Sequence, residues 1–331
     1  MKSESDIRIM KRSSITIFIL SVTLLIIFIS CTKKEIPVVT TEEISAISIM
    51  SAKSGGNITD DGGAEIKERG VCYNTTGNPT VKNQRTSDGS GSGPFTSNLK
   101  YLNPGTYYYI RAYARNKAGT GYGDVKEFAT PPLTIGTVED IEGNSYGTVV
   151  LGNQTWMTEN LRTTKYNDNT AIPLVRAGDI WNRLASPAYC WYDNDSLDNK
   201  PDYGALYNWY TVASGKLCPS GWHVPTDNEW IILSDLLGGE NIAGDKLKEE
   251  GGNHWVNYST ASNNVSGFTA LPGGGRINGS FVYMGLAGAW WTSTSYDDNN
   301  AWARELDNDV VELLAGVLSK SYGFSVRCIR N

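Results

Sequence analysis

The most strongly hydrophobic stretch of the chain lies near its start, where residues 15–29 form a run of 15 residues without a charge. A helix that spans a membrane needs about 20 apolar residues, so this run is short for a permanent anchor and typical of a signal sequence. Basic residues precede it, although Glu4 and Asp6 reduce their net positive charge. The pattern predicts that residues 1–30 form a signal peptide for export.

A small residue and a cysteine, Ser30 and Cys31, follow this run directly. The arrangement resembles the lipobox of bacterial lipoproteins, which implies that Cys31 is lipidated and becomes the mature N-terminus. Two or more acyl chains hold a protein stably on a bilayer. We therefore expect an exported lipoprotein anchored to the membrane of the bacterial envelope, at the outer membrane or cell surface. The alternative is an uncleaved signal anchor in which Cys31 is incidental.

Residues 36–130 contain short hydrophobic segments separated by turn clusters, and the clearest strand pattern lies at 106–115. One face of that predicted strand carries Tyr108, Ile110 and two alanines, and the other carries arginines and tyrosines, including Tyr113. Alternation with a period of two indicates one buried and one solvated face. The segment resembles the penultimate strand of fibronectin type III domains, with Tyr108 in the place of the tyrosine corner. The resemblance implies an all-β fibronectin III-like sandwich.

The distribution of tryptophan divides the chain in two. All ten tryptophans lie after Pro131, and none lies before it. Pro131 and Pro132 favour an extended, non-helical connector at the same place. The sequence therefore predicts a multidomain protein, with one domain over residues 36–130 and a second over 133–331.

The second domain begins with a strand pattern and continues with helical signals. Thr226 and Glu229 have the spacing of a capping box, and Gly238 marks the end of the predicted helix. The apolar residues of this helix, among them Trp230, fall on one side. After Gly252 the chain turns to loops and short strands, a mixture that predicts an α+β domain with much of its mass in loops.

Five separated motifs of this domain occur in a specific order. They are residues 153–161, 203–210, 218–226, 291–293 and 325–328. Together they resemble the Fibrobacter succinogenes major paralogous domain over nearly all of residues 133–331. That family looks like a branch of the C-type lectin-like fold, which also contains the formylglycine-generating enzymes. The resemblance implies an α+β C-type lectin-like domain and an exported, surface-associated protein.

The same resemblance implies a disulfide. In the lectin-like fold a cysteine near a helix pairs with one in the final strand, and Cys218 and Cys328 stand in those places. Closing the loop between them would contribute roughly 4 kcal/mol to stability. The alternative is two free buried thiols, which an exported protein disfavours. Cys190 and Cys72 are left over, and we expect both to be buried.

Charge and motif content exclude several functions. The chain has 29 basic and 35 acidic residues, a net charge of −6, so it lacks the cation clusters that nucleic-acid binding needs. Its two histidines, His223 and His254, exclude a site with three imidazoles. We find no nucleophile elbow, phosphate-cradling loop or zinc spacing. The sequence thus predicts no catalytic residue and no cofactor, with calcium as a minority hypothesis.

The calcium hypothesis rests on two acidic stretches, because clustered carboxylate and amide oxygens are the ligands that calcium prefers. The EF-hand spacing fails in the first stretch, and the usual calcium-binding triplets of lectins are absent from the second. Solvated turns are the favoured interpretation of both. The candidate ligands are Asp193, Asp195, Asp198, Asp297 and Asp298.

Aromatic side chains beside amides suit sugars, whose C–H faces stack on rings while their hydroxyls form hydrogen bonds. Most tryptophans lie in motifs or on the helix face and are predicted to build the core. Those in irregular segments are freer to reach solvent. The predicted ligand-binding residues are Trp181, Trp191, Trp255, Asn299 and Asn300.

These observations predict a non-catalytic recognition or adhesion module of the cell envelope that binds a glycan or an extracellular protein. One alternative is a glycan- or protein-modifying enzyme on a fold like that of formylglycine-generating enzymes. Another is a structural subunit of a surface assembly. A cleft with two carboxylates about 5–10 Å apart would favour hydrolysis, whereas a loop surface with exposed Trp and Asn would favour binding.

Overall fold

The computed structural model describes residues 33–257 and 262–331. The predicted signal peptide and the lipidation site at Cys31 lie outside the described residues. Within the described ranges, no helix has the length and apolar character needed to cross a membrane.

The first part of the chain is a β-sandwich of two antiparallel sheets. One sheet has the order β1-β2-β5, and the other has the order β4-β3-β6-β7 with β8 also paired to β6. Their inner faces enclose a core that includes Ile66, Val71, Leu99 and Ile110. The strands are β1 (Val38–Thr41), β2 (Ser51–Asp60), β3 (Glu68–Asn74), β4 (Gln84–Arg85), β5 (Gly93–Lys100), β6 (Tyr107–Asn116), β7 (Gly119–Tyr122) and β8 (Lys126–Ala129).

Strand β6 follows the predicted alternation with one exception. Tyr108 is buried, and its hydroxyl accepts a hydrogen bond from the Asn103 amide at 2.8 Å, the contact expected of a tyrosine corner. Tyr113, predicted to face solvent, is also fully buried. Its hydroxyl bonds to Glu68 Oε1 at 3.0 Å and donates toward the Thr86 carbonyl at 2.8 Å. A second layer of polar partners therefore covers this outer face.

The second part is built mainly of strands and carries short helices. One sheet has the order β14-β21-β11-β10-β9, and the larger one has the order β12-β13-β20-β15-β17-β18-β19 with β16 paired to β15. The first group of strands is β9 (Thr134–Glu139), β10 (Ser145–Leu151), β11 (Gln154–Met157), β12 (Tyr189–Cys190), β13 (Leu206–Asn208), β14 (Trp222–His223) and β15 (Gly273–Ile277). The second is β16 (Ser280–Met284), β17 (Ala287–Ser295), β18 (Asn300–Asp307), β19 (Leu314–Ser319), β20 (Gly323–Phe324) and β21 (Ile329–Arg330).

The described helices are α1 (Gly178–Trp181), α2 (Lys200–Tyr203), α3 (Trp209–Val212), α4 (Asp227–Leu237) and α5 (Glu240–Leu247). Helix α4 is the one that the capping-box spacing predicts. The Thr226 side chain accepts from the Glu229 amide, and the Glu229 carboxylate accepts from the Thr226 amide at 2.7 Å. The helix ends at Gly238, whose φ of 117° is left-handed. The Thr226 N-cap contributes about 1 kcal/mol to stability.

Helices α4 and α5 pack on one face of the larger sheet, where an aromatic cluster forms the core. Trp156 and Trp230 have ring centroids 4.9 Å apart, and Phe268 and Trp290 complete the cluster. These rings bury a large apolar area, which is the main stabilising contribution here. The core role predicted for Trp156 and Trp230 is confirmed.

The disulfide between Cys218 and Cys328 is present, with the two Cα atoms 5.9 Å apart. It ties the segment before α4 to the last strand region, as the resemblance implies. Cys72 and Cys190 are free and buried. The prediction for all four cysteines is confirmed.

One end of the β-sandwich, which includes Met50 and Tyr101, contacts the second domain. Met50, just before β2, is buried in the cluster that contains Trp156 and Trp230. The Lys246 ammonium of α5 lies 5.1 Å from the Tyr101 ring centroid. The sandwich therefore contributes apolar surface to its neighbour's core.

Candidate functional site

The three tryptophans predicted to reach solvent are buried. Trp181, Trp191 and Trp255 have exposed fractions of 0%, 5% and 3%, so that prediction is wrong. The Arg276 guanidinium lies 4.7 Å from the Trp181 ring centroid. The Trp255 indole donates to the Ala270 carbonyl at 3.0 Å. Partners from distant segments cover these rings, although their own segments are irregular.

The first acidic stretch forms a turn that satisfies its own carboxylate. Asp195 Oδ1 accepts from the amides of Leu197 at 2.9 Å and Asp198 at 3.2 Å. Asp193 has a left-handed φ of 50°. This is the usual behaviour of Asp in tight turns.

In the second acidic stretch, a carboxylate is also satisfied by hydrogen bonds within its own turn. Asp297 Oδ1 accepts from the Asn299 amide at 2.8 Å and the Asn300 amide at 2.7 Å. The Asn300 side-chain hydrogen bond, together with these amides, holds the pKa of Asp297 below its usual value. The Lys320 ammonium binds the carbonyls of Asp297 and Asp298. In the described ranges, no three His, Cys, Asp or Glu side chains converge on a position suited to a metal ion. The carboxylates of Asp195 and Asp297 instead stabilise turns.

The structure instead shows a cavity of about 360 Å³ on the larger sheet. Strand β17 lies between its two walls, β15 and β18, in the sheet order. Ala287 and Ala289 of β17 form the floor, and Phe324 of β20 closes one end. The small side chains of the floor leave the space open. Its volume lies at the lower end of the range for ligand pockets.

Glycines form one wall of the cavity because nothing larger fits. A Cβ on Gly274 would lie 2.4 Å from the Val282 carbonyl, and its φ of 59° is left-handed. A Cβ on Gly275 would lie 2.7 Å from Phe324 Cε1. Both glycines belong to strand β15.

Two carboxylates form the opposite wall. Glu305 and Asp307 stand two residues apart on β18 and therefore point to the same face, about 7 Å apart along the strand. In register they lie beside Ala289 and Ala287 of the floor. Within residues 33–257 and 262–331, no hydrogen bond or ion pair joins either carboxylate to the protein.

Burial raises the pKa of both groups. Desolvation is the main cause for Glu305, and the charge of Asp307 adds to it. Desolvation also dominates for Asp307, where Asp309 raises the pKa further and Lys248 lowers it. The charged forms are therefore less stable in the cavity than in water.

The fully buried charges of this domain have partners in the protein, whereas Glu305 and Asp307 are only partly buried. The Arg304 guanidinium, on the other face of β18, contacts Asp227 at 2.7 Å and also Glu240. The Arg276 guanidinium donates to three backbone carbonyls. Buried polar groups in proteins are normally satisfied in this way. Glu305 and Asp307 are left open to the cavity.

An exposed aromatic residue stands at the rim. Tyr283 has an exposed fraction of 57% and a φ of 66°, in the left-handed region that non-glycine residues rarely adopt. Strained residues of this kind are concentrated at functional sites. The cavity thus has an acidic wall, an apolar floor and an aromatic rim.

The sequence contained a signal for this site. Side chains alternate in direction along a strand, so a strand over residues 301–307 places both carboxylates on one face. The pattern could not indicate that this face borders a cavity, because the floor and opposite wall come from β17 and β15.

Substituting one carboxylate should stabilise the fold at neutral pH. A raised folded-state pKa gives Glu305 a stability contribution that is present below about pH 4 and lost as the pH rises through the folded value. We expect Glu305→Gln to raise the free energy of unfolding at pH 7 by about 0.5–2 kcal/mol, and to have little effect at pH 4. Urea denaturation at both pH values measures this. Exposed Glu250→Gln is the control, and equal stability of Glu305→Gln and wild type at pH 7 would contradict the prediction.

The Fibrobacter succinogenes major domain matches residues 149–330, more than half of the chain. The chain belongs to this family. The matched region of the Fibrobacter succinogenes major domain contains the disulfide and every residue that lines the cavity. No curated protein matches the chain.

Solved structures similar to this chain cover about a third of it. The sensor domain of the anti-sigma factor RsgI4 from Pseudobacteroides cellulosolvens is 19% identical with a TM-score of 0.24, covering 30% of this chain and 100% of that one. A human fibronectin type III domain is 25% identical with a TM-score of 0.24, covering 33% and 89%. Domains from titin are 20% identical with a TM-score of 0.23, covering 29% and 33%.

Proposed function

We propose that this chain is a lipid-anchored recognition protein of the bacterial envelope. Its family domain holds a group of an extracellular protein or glycan in the cavity beside β18. The observation that carries the proposal is the pair Glu305 and Asp307, which are partly buried, face an apolar floor and have no hydrogen-bond or ion-pair partner among the described residues. A few polar groups in a mostly apolar concavity are typical of ligand sites.

The arrangement favours binding over catalysis. Both carboxylates project from one strand, whereas glycoside hydrolysis uses two that flank the scissile bond. Among the described residues, no His, Cys or Ser lines the cavity. The spacing of about 7 Å between the two carboxylates is the one observation in favour of the second candidate, a glycan-modifying enzyme. Release of product from a glycan by wild type, lost in Glu305→Gln, would establish that candidate instead.

We propose a C-type lectin-like arrangement for the second domain. The disulfide joins the segment before α4 to the last strand region, as in that fold. The described residues between α5 and β15, 248–257 and 262–272, are largely irregular and precede the strands that form the cavity. Loops held on a rigid scaffold commonly carry binding functions.

Filling the cavity should abolish binding. We expect Ala287→Phe to reduce binding of the full-length protein to its targets on a glycan and extracellular-protein array at least tenfold, because the ring occupies the ligand's space. Ala315→Phe is the matched control, since Ala315 is exposed and pairs with Arg304 on the other face. The array is run with and without calcium. Equal binding by Ala287→Phe and wild type would refute the cavity as the site.

Lipid anchoring is tested at Cys31. We expect Cys31→Ser to abolish incorporation of labelled fatty acid and to move the protein out of the membrane fraction, because the acyl chains provide the attachment. Fractionation with immunoblotting measures the shift, and buried Cys190→Ser serves as the control for thiol loss. Retention of Cys31→Ser in the membrane without label would support the uncleaved signal anchor.

A further inference from the structure

The polar groups of the cavity define what a ligand must offer. Glu305, Asp307 and Tyr283 are the polar side chains that line it. An ionised carboxylate only accepts hydrogen bonds, so a group bound between the two must be a donor. The bound group therefore carries N–H or O–H.

The charge balance distinguishes a cation from a neutral donor. Lys248 is the cation that lowers the pKa of Asp307. Its ammonium already donates to the Val310 carbonyl at 2.5 Å and lies 3.7 Å from Asp245 Oδ1. No cation is among the causes that act on Glu305. A hydroxyl would supply a hydrogen bond and leave the two negative charges in place. A cation would supply both the hydrogen bond and the missing charge.

The shape of the site favours an ammonium over a guanidinium. A guanidinium fits one carboxylate with two parallel hydrogen bonds, whereas an ammonium is a compact charge with three rotatable donors. Glu305 and Asp307 present two separate carboxylates side by side on one wall. Ile277 and Phe324 supply apolar surface of the kind that packs along a methylene chain.

The edge of the sheet indicates what kind of molecule would carry such an ammonium group. Strand β19 follows β18 at the end of the sheet order, so its outer side is unpaired among the described strands. Gly316 of β19 has no side chain to shield Glu305, whose Oε1 lies 3.6 Å from where its Cβ would be. An extended polypeptide can pair with such an edge and direct alternate side chains to one face.

We propose that the cavity binds the side-chain ammonium of a lysine in an extended polypeptide, with Glu305 and Asp307 as its acceptors. This inference rests on the proposed function, because it specifies the ligand of the same cavity. Of the two targets in the proposed function, this inference specifies the extracellular protein, rather than the glycan, as the ligand of the acidic wall.

The first experiment titrates the full-length protein with Nα-acetyl-lysine amide by calorimetry. We expect binding that weakens at least tenfold in Glu305→Gln and is unchanged in the exposed control Glu250→Gln. The norleucine analogue keeps the methylene chain without the ammonium and should bind at least tenfold more weakly than lysine. Tighter binding of the arginine analogue would overturn the choice of ammonium.

The second experiment separates the sources of the ammonium. A five-residue peptide with a central lysine should bind at least tenfold more tightly than 1,5-diaminopentane, because the peptide backbone also pairs with β19. Equal affinities would overturn the polypeptide part of the inference. Binding of a neutral saccharide in place of the lysine probe overturns the inference and leaves the proposed function standing. Failure of every probe, with no array signal sensitive to Ala287→Phe, overturns both.

Discussion

Replacing Cys218 and Cys328 together with alanine is expected to lower the free energy of unfolding by about 4 kcal/mol. The bond closes a loop with a sequence separation of 110 residues, so its loss releases a large conformational entropy in the unfolded chain. Both cysteines are buried, so their replacement also removes packed sulfur atoms. Urea denaturation of the oxidised full-length protein and of the double variant measures the difference.

The control for this prediction is Cys190→Ala. Cys190 is equally buried but forms no disulfide, so this variant removes a packed sulfur without opening a loop. We expect it to cost about 1 kcal/mol. A double variant that loses no more stability than twice this single variant would show that the bond contributes little beyond its packing.

Replacing Arg327 with alanine is expected to cost about 3–5 kcal/mol of stability, from the cavity and the unsatisfied acceptors that it leaves. Arg327 has an exposed fraction of 1%, and burial lowers its pKa to about 9. Its guanidinium donates to Asn160 Oδ1 at 3.0 Å and to the Thr269 carbonyl at 2.7 Å, as well as to the Phe268 carbonyl. Its removal would leave these buried acceptors short of a donor and open a cavity beside the aromatic cluster.

Arg330→Ala is the matched control, three residues further along the chain. Arg330 is exposed, so its replacement should change stability by less than about 0.5 kcal/mol. Thermal or urea denaturation of the two variants gives the comparison. Similar stabilities of Arg327→Ala and Arg330→Ala would show that the buried hydrogen bonds contribute nothing net.

Local features were predicted well because neighbouring residues determine them. The capping box of Thr226 and Glu229 needs only four residues, and Gly238 ends the same helix. The buried face of β6 follows from alternation along a single strand. The pairing of Cys218 with Cys328 was predicted from the family resemblance, since spacing alone does not specify a partner.

The exposure of individual tryptophans was predicted poorly. Trp181 lies in a short helix within an irregular region, a context that suggested access to solvent. Arg276, from a remote strand, covers its ring. Irregular backbone therefore says little about burial, because the covering groups come from elsewhere in the chain.

What the sequence determines and what only the tertiary structure decides differ in the range of the interactions involved. Hydrophobic runs, alternation, caps and motifs act within a few residues, so the sequence alone indicated the strand-rich first domain and the family of the second, and it predicts an export signal. The cavity depends on Gly274 pairing in parallel with Gly288, and on Glu305 lying in register with Ala289. Only folding brings these strands together, and only there are two acidic residues partly desolvated without a hydrogen-bond or ion-pair partner among the described residues.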